Sequence, residues 1–274
     1  MLHYDARWLV EYYRDEPAAL PGIPYAPLDW DGPYTVVKLE QPFRLTPVLD
    51  VVPRMDYDEP IFRLADYGDR TLRVQRCAYS DGLKSNYLMD GPGELRALLR
   101  AEYGAKLPPL SDARLANGIG TAVVVFDAAL RPYLPRRAAR QSVFPGGYHC
   151  TASGEAKWSD TAATFEEIFT VHICRELEEE VGLTSADLSW IRPVAFCREF
   201  LRGGKPQFFF AAQTLLSTDE LAVRRRRAIA RQIAAGRQEV EDDVLETVTP
   251  QTLRQCTIEA VANLELAMRI VKRS

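Results

Sequence analysis

Hydrophobic spacing changes several times along this chain. Residues 34–39 and 71–77 place apolar and β-branched side chains at alternate positions, the spacing of half-buried strands. Between them stand Pro42, Pro47, Pro53 and Pro60, so only strand-like pieces such as 44–52 are expected there. Residues 93–103 predict a helix with Leu95, Leu98 and Leu99 on one side. A linker is expected at Lys106-Leu-Pro-Pro-Leu110, and the pattern then shifts. Gly120–Phe126 is an unbroken apolar run, as expected of a strand buried on both faces, with 130–135 as its hairpin partner. Residues 190–198 and 207–214 predict two further strands, joined by a turn at Arg202-Gly203-Gly204-Lys205. Residues 217–236 predict a helix carrying four successive arginines, 224–227. Thr249-Pro250 has the cap-then-proline pattern of a helix start, and Leu253, Ile258, Val261, Leu264 and Met268 supply the apolar stripe of that final helix. At the other end, a short amphipathic helix at 6–14 leads into a loop with prolines at 17, 21, 24, 27 and 33.

Composition narrows the class. With 274 residues, 47% hydrophobic and 26% charged, the chain suits one large globular domain or two modest ones. A net charge of −4 argues against a general nucleic-acid binder. No apolar run approaches bilayer-spanning length, and no leader pattern opens the chain, so no membrane partner is expected. The five cysteines (77, 150, 174, 197, 256) are scattered and lack zinc-type pairing, which suits a reduced, cytoplasmic setting. Cys174 reads as a packing residue rather than a nucleophile.

The chemistry concentrates in Arg175-Glu-Leu-Glu-Glu-Glu-Val-Gly-Leu183. Offsets of three and four place Glu176, Glu179 and Glu180 on one helical face, and Gly182 is a natural carboxy-terminal stop. Acids there oppose the helix dipole and repel one another, so a purely structural helix is disfavoured. A divalent cation would turn that repulsion into a ligand set.

As a pattern, this run resembles the second half of the box of Nudix hydrolases, REUxEExGU with U aliphatic. Seven residues separate Glu167 from Arg175, as the box requires, but Thr161 occupies the position of the box glycine. Pro145-Gly146-Gly147 and Gly154-Glu155 resemble the segment that precedes the catalytic helix in that family. Nineteen residues separate Glu155 from Arg175 where the usual box has seven, which implies an insertion of about a dozen centred on 156–163. Either Glu155 or Glu167 therefore takes the first box glutamate, and Thr164 with Glu167 also fits a helix-capping box. The resemblance implies an α/β fold, a Nudix-like α/β/α sandwich with a mixed sheet over residues 111–274, preceded by an α+β region at 1–110 that encloses substrate or dimerises. It implies Mg²⁺ (Mn²⁺ as substitute) held by Glu176, Glu179 and Glu180 with the Gly147 carbonyl, and Arg175 as an internal brace to Glu167 or a neighbouring carboxylate. Glu239, Glu241, Asp242 and Asp243 are candidates for a further acidic ligand. Arg136 and Arg137 fall where family members carry basic residues after the second strand.

Around Tyr79-Ser-Asp81, Asn86 and Leu115-Ala-Asn-x-Ile-Gly120, together with Ser153-Gly154, the chain resembles the Nudix subgroup that binds uridine-diphosphate sugars. Asp81 and Asn86 would then read the ligand, although Ser-Asp-Gly is also ordinary turn chemistry. The expected activity is magnesium-dependent hydrolysis of a diphosphate bond in a nucleoside diphosphate linked to another moiety. A Nudix-fold nucleotide-binding or regulatory module without turnover is the alternative. Isopentenyl diphosphate isomerisation is weaker, because the cysteine and glutamate of that subgroup lack a clear counterpart. The expected partner is a small-molecule nucleotide, with a homodimer as the default assembly.

Overall fold

Alternating and continuous apolar runs build the two larger of three sheets, the third being the short antiparallel pairing of residues 242–245 with 135–136. The computed structural model describes residues 34–50, 58–90, 94–104, 106–137, 146–236 and 255–271, with the backbone of 25–28 and 242–245. Its strands are β1 (Tyr25–Leu28), β2 (Thr35–Lys38), β3 (Pro60–Gly68) and β4 (Thr71–Ala78), followed by the helices α1 (Tyr79–Leu83) and α2 (Glu94–Tyr103). Then come β5 (Gly120–Phe126), β6 (Pro132–Tyr133), β7 (Pro135–Arg136), β8 (Ala152–Glu155) and α3 (Val171–Glu180). The chain continues through β9 (Leu188–Glu199), β10 (Lys205–Thr214), α4 (Thr218–Ala234), β11 (Asp242–Leu245) and α5 (Ile258–Val271).

The larger sheet runs β1-β9-β10-β5-β6, with β8 also paired to β5. It is mixed: β5 and β10 are parallel, and every other pair in it is antiparallel. Every residue of β5 is buried, as its unbroken apolar run requires. Val123 and Val125 join Ile173 and Leu177 of α3 in one core, whereas Ala122, Val124 and Phe126 join Ala260, Leu264 and Ala267 of α5 in another. A helix therefore covers each face, giving the α/β/α layering.

The smaller sheet, β2-β4-β3, adds no independent core. Tyr34, Phe62, Leu64, Leu72 and Val74 share the α3-side core with Phe165, Phe169, Phe196 and Phe208. β1 meanwhile pairs with β9 at the edge of the larger sheet, Tyr25 opposite Glu199. The amino-terminal region thus contributes to both sheets. A satellite cluster of Met89, Leu95, Leu99 and Leu115 seats α2.

Several expectations need correction. Residues 44–50 form no strand. They are tied by single backbone bonds, Phe43 N–H to Arg76 O (2.9 Å) and Thr46 N–H to Ala113 O (2.8 Å), because Pro42 and Pro47 have no amide hydrogen to donate to a ladder. Leu98 is 40% exposed, since the buried stripe of α2 is only as wide as Leu95 and Leu99. The expected linker is fixed in place: Pro108 O accepts from Arg198 (2.7 Å) and Leu110 O from Arg63 (2.6 Å). The final described helix begins at Ile258, with the Thr257 hydroxyl accepting from Ala260 N–H (3.1 Å). The helix expected at 6–14, Glu239, Glu241, Thr249-Pro250 and Leu253 lie outside the described residues, and Asp242 and Asp243 are described only as backbone of β11.

Candidate active site

The acid-bearing helix is entered through a capped loop and a π-helical turn, Glu166–Thr170. Such turns often mark functional sites. The Glu167 carboxylate accepts from Ala163 N–H (2.8 Å) and Thr164 N–H (3.1 Å), while the Thr164 hydroxyl accepts from Glu167 N–H (3.2 Å). This is the capping box legible in the sequence. Those backbone donors hold the Glu167 carboxyl below the usual range, and the residue is exposed. Phe165, Phe169, Ile173 and Leu177, spaced by four, drive the other face of the segment into the core. Gly182 then stops the helix at φ +76°, a conformation that side chains resist. A Cβ there would stand 3.0 Å from Arg224 O of α4, so the stop is closely packed as well.

Glu176, Glu179 and Glu180 are all half-buried, whereas their neighbour Glu178 is exposed. The strand β8 lies directly against Glu176. A Cβ built on Gly154 would stand 2.9 Å from the Glu176 carboxyl carbon, so only glycine leaves that carboxylate its place. Arg175 donates to Nδ1 of His172 (2.9 Å), an imidazole rather than the expected carboxylate. Nδ1 of His172 also lies 3.6 Å from Glu176 Oε1. Burial, with Arg175 and Lys157 adding to it, pushes the His172 pKa down to about 3, so the ring is neutral and makes no ion pair with Glu176 near pH 7. Its Nε2 makes no well-formed hydrogen bond, although the Gly154 backbone lies within electrostatic reach.

Successive residues of a strand look to opposite faces, and Glu155 turns away from Glu176. Its Oε1 accepts from the Tyr87 hydroxyl and pairs with Lys205 Nζ at 3.0 Å, while its Oε2 is buried without a partner. From Lys205 a polar chain continues across the α5 side. Gln207 donates to Glu259 Oε1 (2.9 Å), and Glu259 Oε2 lies 3.9 Å from His149 Nε2. His149 is hydrogen-bonded to Thr257 (2.7 Å) through Nδ1 and to Ser153 (2.9 Å) through Nε2. Burial lowers the His149 pKa well below 6.5, with the charges of Arg137 and Arg202 adding to it, and burial raises that of Glu259. The two candidates for the first box glutamate therefore occupy different settings: Glu155 inside beside Gly154, Glu167 on the surface as a cap.

The remaining expected residues fall in two places. Arg136 donates through Nε to Gly146 O (2.9 Å), and Arg137 N–H donates to the Gly147 carbonyl (2.8 Å). The basic pair and the Gly146-Gly147 pair thus lie hydrogen-bonded side by side. Asp81 caps α1 by accepting from Ala78 N–H (3.1 Å), and burial raises its pKa. Asn86 is buried, donates to Arg202 O (2.7 Å) and accepts from Asn117 N–H (2.8 Å). Both serve the backbone in this structure. Tyr87, Lys205, Gln207, His149 and Glu259 were missed. They are scattered over more than 170 positions, and no local spacing signals their meeting.

The carboxylate chemistry and the glycine cradle beside Glu176 suit a hard divalent cation. Among the described residues, however, no three His, Cys, Asp or Glu side chains converge on one point. The metal reading rests on residue type and helical placement.

No family model matches this sequence, and no curated protein resembles it significantly. Solved structures similar to it include RenU, a Nudix hydrolase from M. smegmatis (10% identity over 57% of this chain and 88% of that one, TM-score 0.33). Others are the Ap4A hydrolase of C. elegans (12% identity, 56% and 98% covered, TM-score 0.33) and the MutT protein of Methanosarcina mazei Go1 (14%, 57% and 95%, TM-score 0.31). Likeness at this level leaves function to the side chains.

Proposed function

We propose that this protein is a magnesium-dependent hydrolase that cleaves a diphosphate bond in a nucleoside diphosphate linked to another moiety, with nucleotide sugars as the first class to test. One observation carries the reading: three half-buried acids share a face of α3 by their spacing, and β8 brings Gly154 against the carboxylate of one of them, Glu176. Glu179 and Glu180 would be the principal metal ligands. Glu176 would complete the set or position and deprotonate the attacking water, and the Gly147 carbonyl keeps a second lone pair for coordination. Bound magnesium would neutralise diphosphate charge and activate water.

The chain's own residues supply the rest. The Gly182 stop and the Phe165–Leu177 stripe fix the height and rotation of the acids over β8. Neutral His172 orients Arg175 without adding charge beside Glu176. Arg136 and Arg137 offer cationic groups for phosphate oxygens. Asp81 and Asn86 would read base or sugar only by exchanging their present backbone partners. Within this reading, residues 1–110 enclose substrate and 111–274 carry the chemistry. The five cysteines are free thiols, which suits a cytoplasmic setting. No helix among the described residues is long and apolar enough to cross a membrane.

The test is turnover. Purified protein with Mg²⁺ is expected to release phosphate-bearing products from a panel of nucleotide sugars, dinucleoside polyphosphates and nucleotide cofactors. Glu180→Gln is expected to lower kcat by on the order of 10²–10³ with an unchanged circular dichroism spectrum. Ligand binding by both proteins with no cleavage by either would favour the binding-module alternative.

A further inference from the structure

The inserted loop at 156–163 is gripped by the small sheet. Phe62 N–H donates to Ala156 O (2.8 Å), Trp158 N–H donates to Pro60 O (2.8 Å), and Lys157 pairs with Glu59 at 2.8 Å. Lys38 of β2 closes the far side. Its Nζ donates to Ser159 O (2.7 Å) and Asp160 O (3.1 Å), and it lies 5.4 Å from the centre of the Trp158 ring. The Trp158 ring packs on Phe62 (4.6 Å between centroids), and Phe62 in turn meets Phe169 of the π-helical turn (6.3 Å). Lys38 also lies close enough to Glu167, the cap of that turn, to favour its ionised form. Two routes therefore run from β2 to the acid-bearing helix, one through rings and one through the loop backbone and its cap.

We propose that Lys38 and Trp158 are positioning residues for α3: through them the small sheet sets where Glu176, Glu179 and Glu180 stand. The functional part of this claim rests on reading α3 as the catalytic helix. Lys38 is half-buried and its two acceptors are loop carbonyls, so Lys38→Met removes the ammonium and keeps most of the stem. Lys38→Arg keeps the charge, and Trp158→Leu removes the ring alone.

The experiment combines amide hydrogen exchange with steady-state kinetics on the full chain. Lys38→Met and Trp158→Leu are each expected to speed exchange in 156–165 and also in 166–180. Each is expected to lower kcat about tenfold with KM within about twofold, and Lys38→Arg is expected to recover most of the loss. Faster exchange confined to 156–165 with kcat unchanged would overturn the proposal, as would no change in either segment. If the wild-type protein cleaves no diphosphate substrate, the hydrolase reading falls, and exchange in 166–180 alone decides whether the sheet positions the helix.

Discussion

Gly154 shows how much a single residue decides here. The nearest atoms to its missing Cβ are the carboxyl carbon and oxygens of Glu176, at 2.9–3.2 Å, the far end of a flexible side chain. Gly154→Ala is therefore expected to displace the carboxylate rather than the strand. Stability should change by less than about 1 kcal/mol, while kcat falls on the order of 10²-fold. Urea unfolding and steady-state kinetics on the same preparation check both halves. His149 gives a second prediction. Its folded pKa lies below the ordinary 6.5, chiefly through burial, so the unfolded chain takes up a proton first. Its contribution is complete above about pH 6.5 and is lost as pH falls below that value. His149→Asn should flatten the fall of the urea midpoint between about pH 7 and pH 5. At this scale the sequence spoke clearly for Glu176, Glu179 and Glu180, which share a helical face by spacing alone. It was silent on Tyr87 with Glu155, which lie 68 positions apart.

Elements were legible where one period governed the whole segment. β5, β9, β10, α2 and α4 lie where periodicity placed them, and the structure adds a cap at Ser217, whose side chain accepts from Glu220 N–H at the start of α4. β3 was missed. Arg63 interrupts its apolar run, yet it is buried at 2% exposure. It donates to Gln75 (2.8 Å) and Leu110 O (2.6 Å) and stacks on Phe43. A buried, paired arginine looks like a surface position to any polar–apolar pattern. Residues 44–50 show the converse error, apolar content without the amide donors that a ladder needs. Cys174, on the acid-bearing helix, has its thiol pKa raised chiefly by burial, which favours the protonated form over the nucleophilic thiolate.

Over the whole molecule, the division at residue 110 describes the pattern of the chain better than its packing. Phe62, Leu64, Leu72 and Val74 from before that point fill the same core as Ile173 and Leu177 from after it. β1 lies along β9, four residues against Cys197, Arg198 and their neighbours. A recombinant fragment beginning at residue 111 would lose that row of partners and the cover over Phe196 and Phe208. An open strand edge beside bare aromatic rings is a template for self-association. Such a fragment is expected to sediment as soluble aggregates or to partition into inclusion bodies, whereas the intact protein gives a single discrete species by analytical ultracentrifugation.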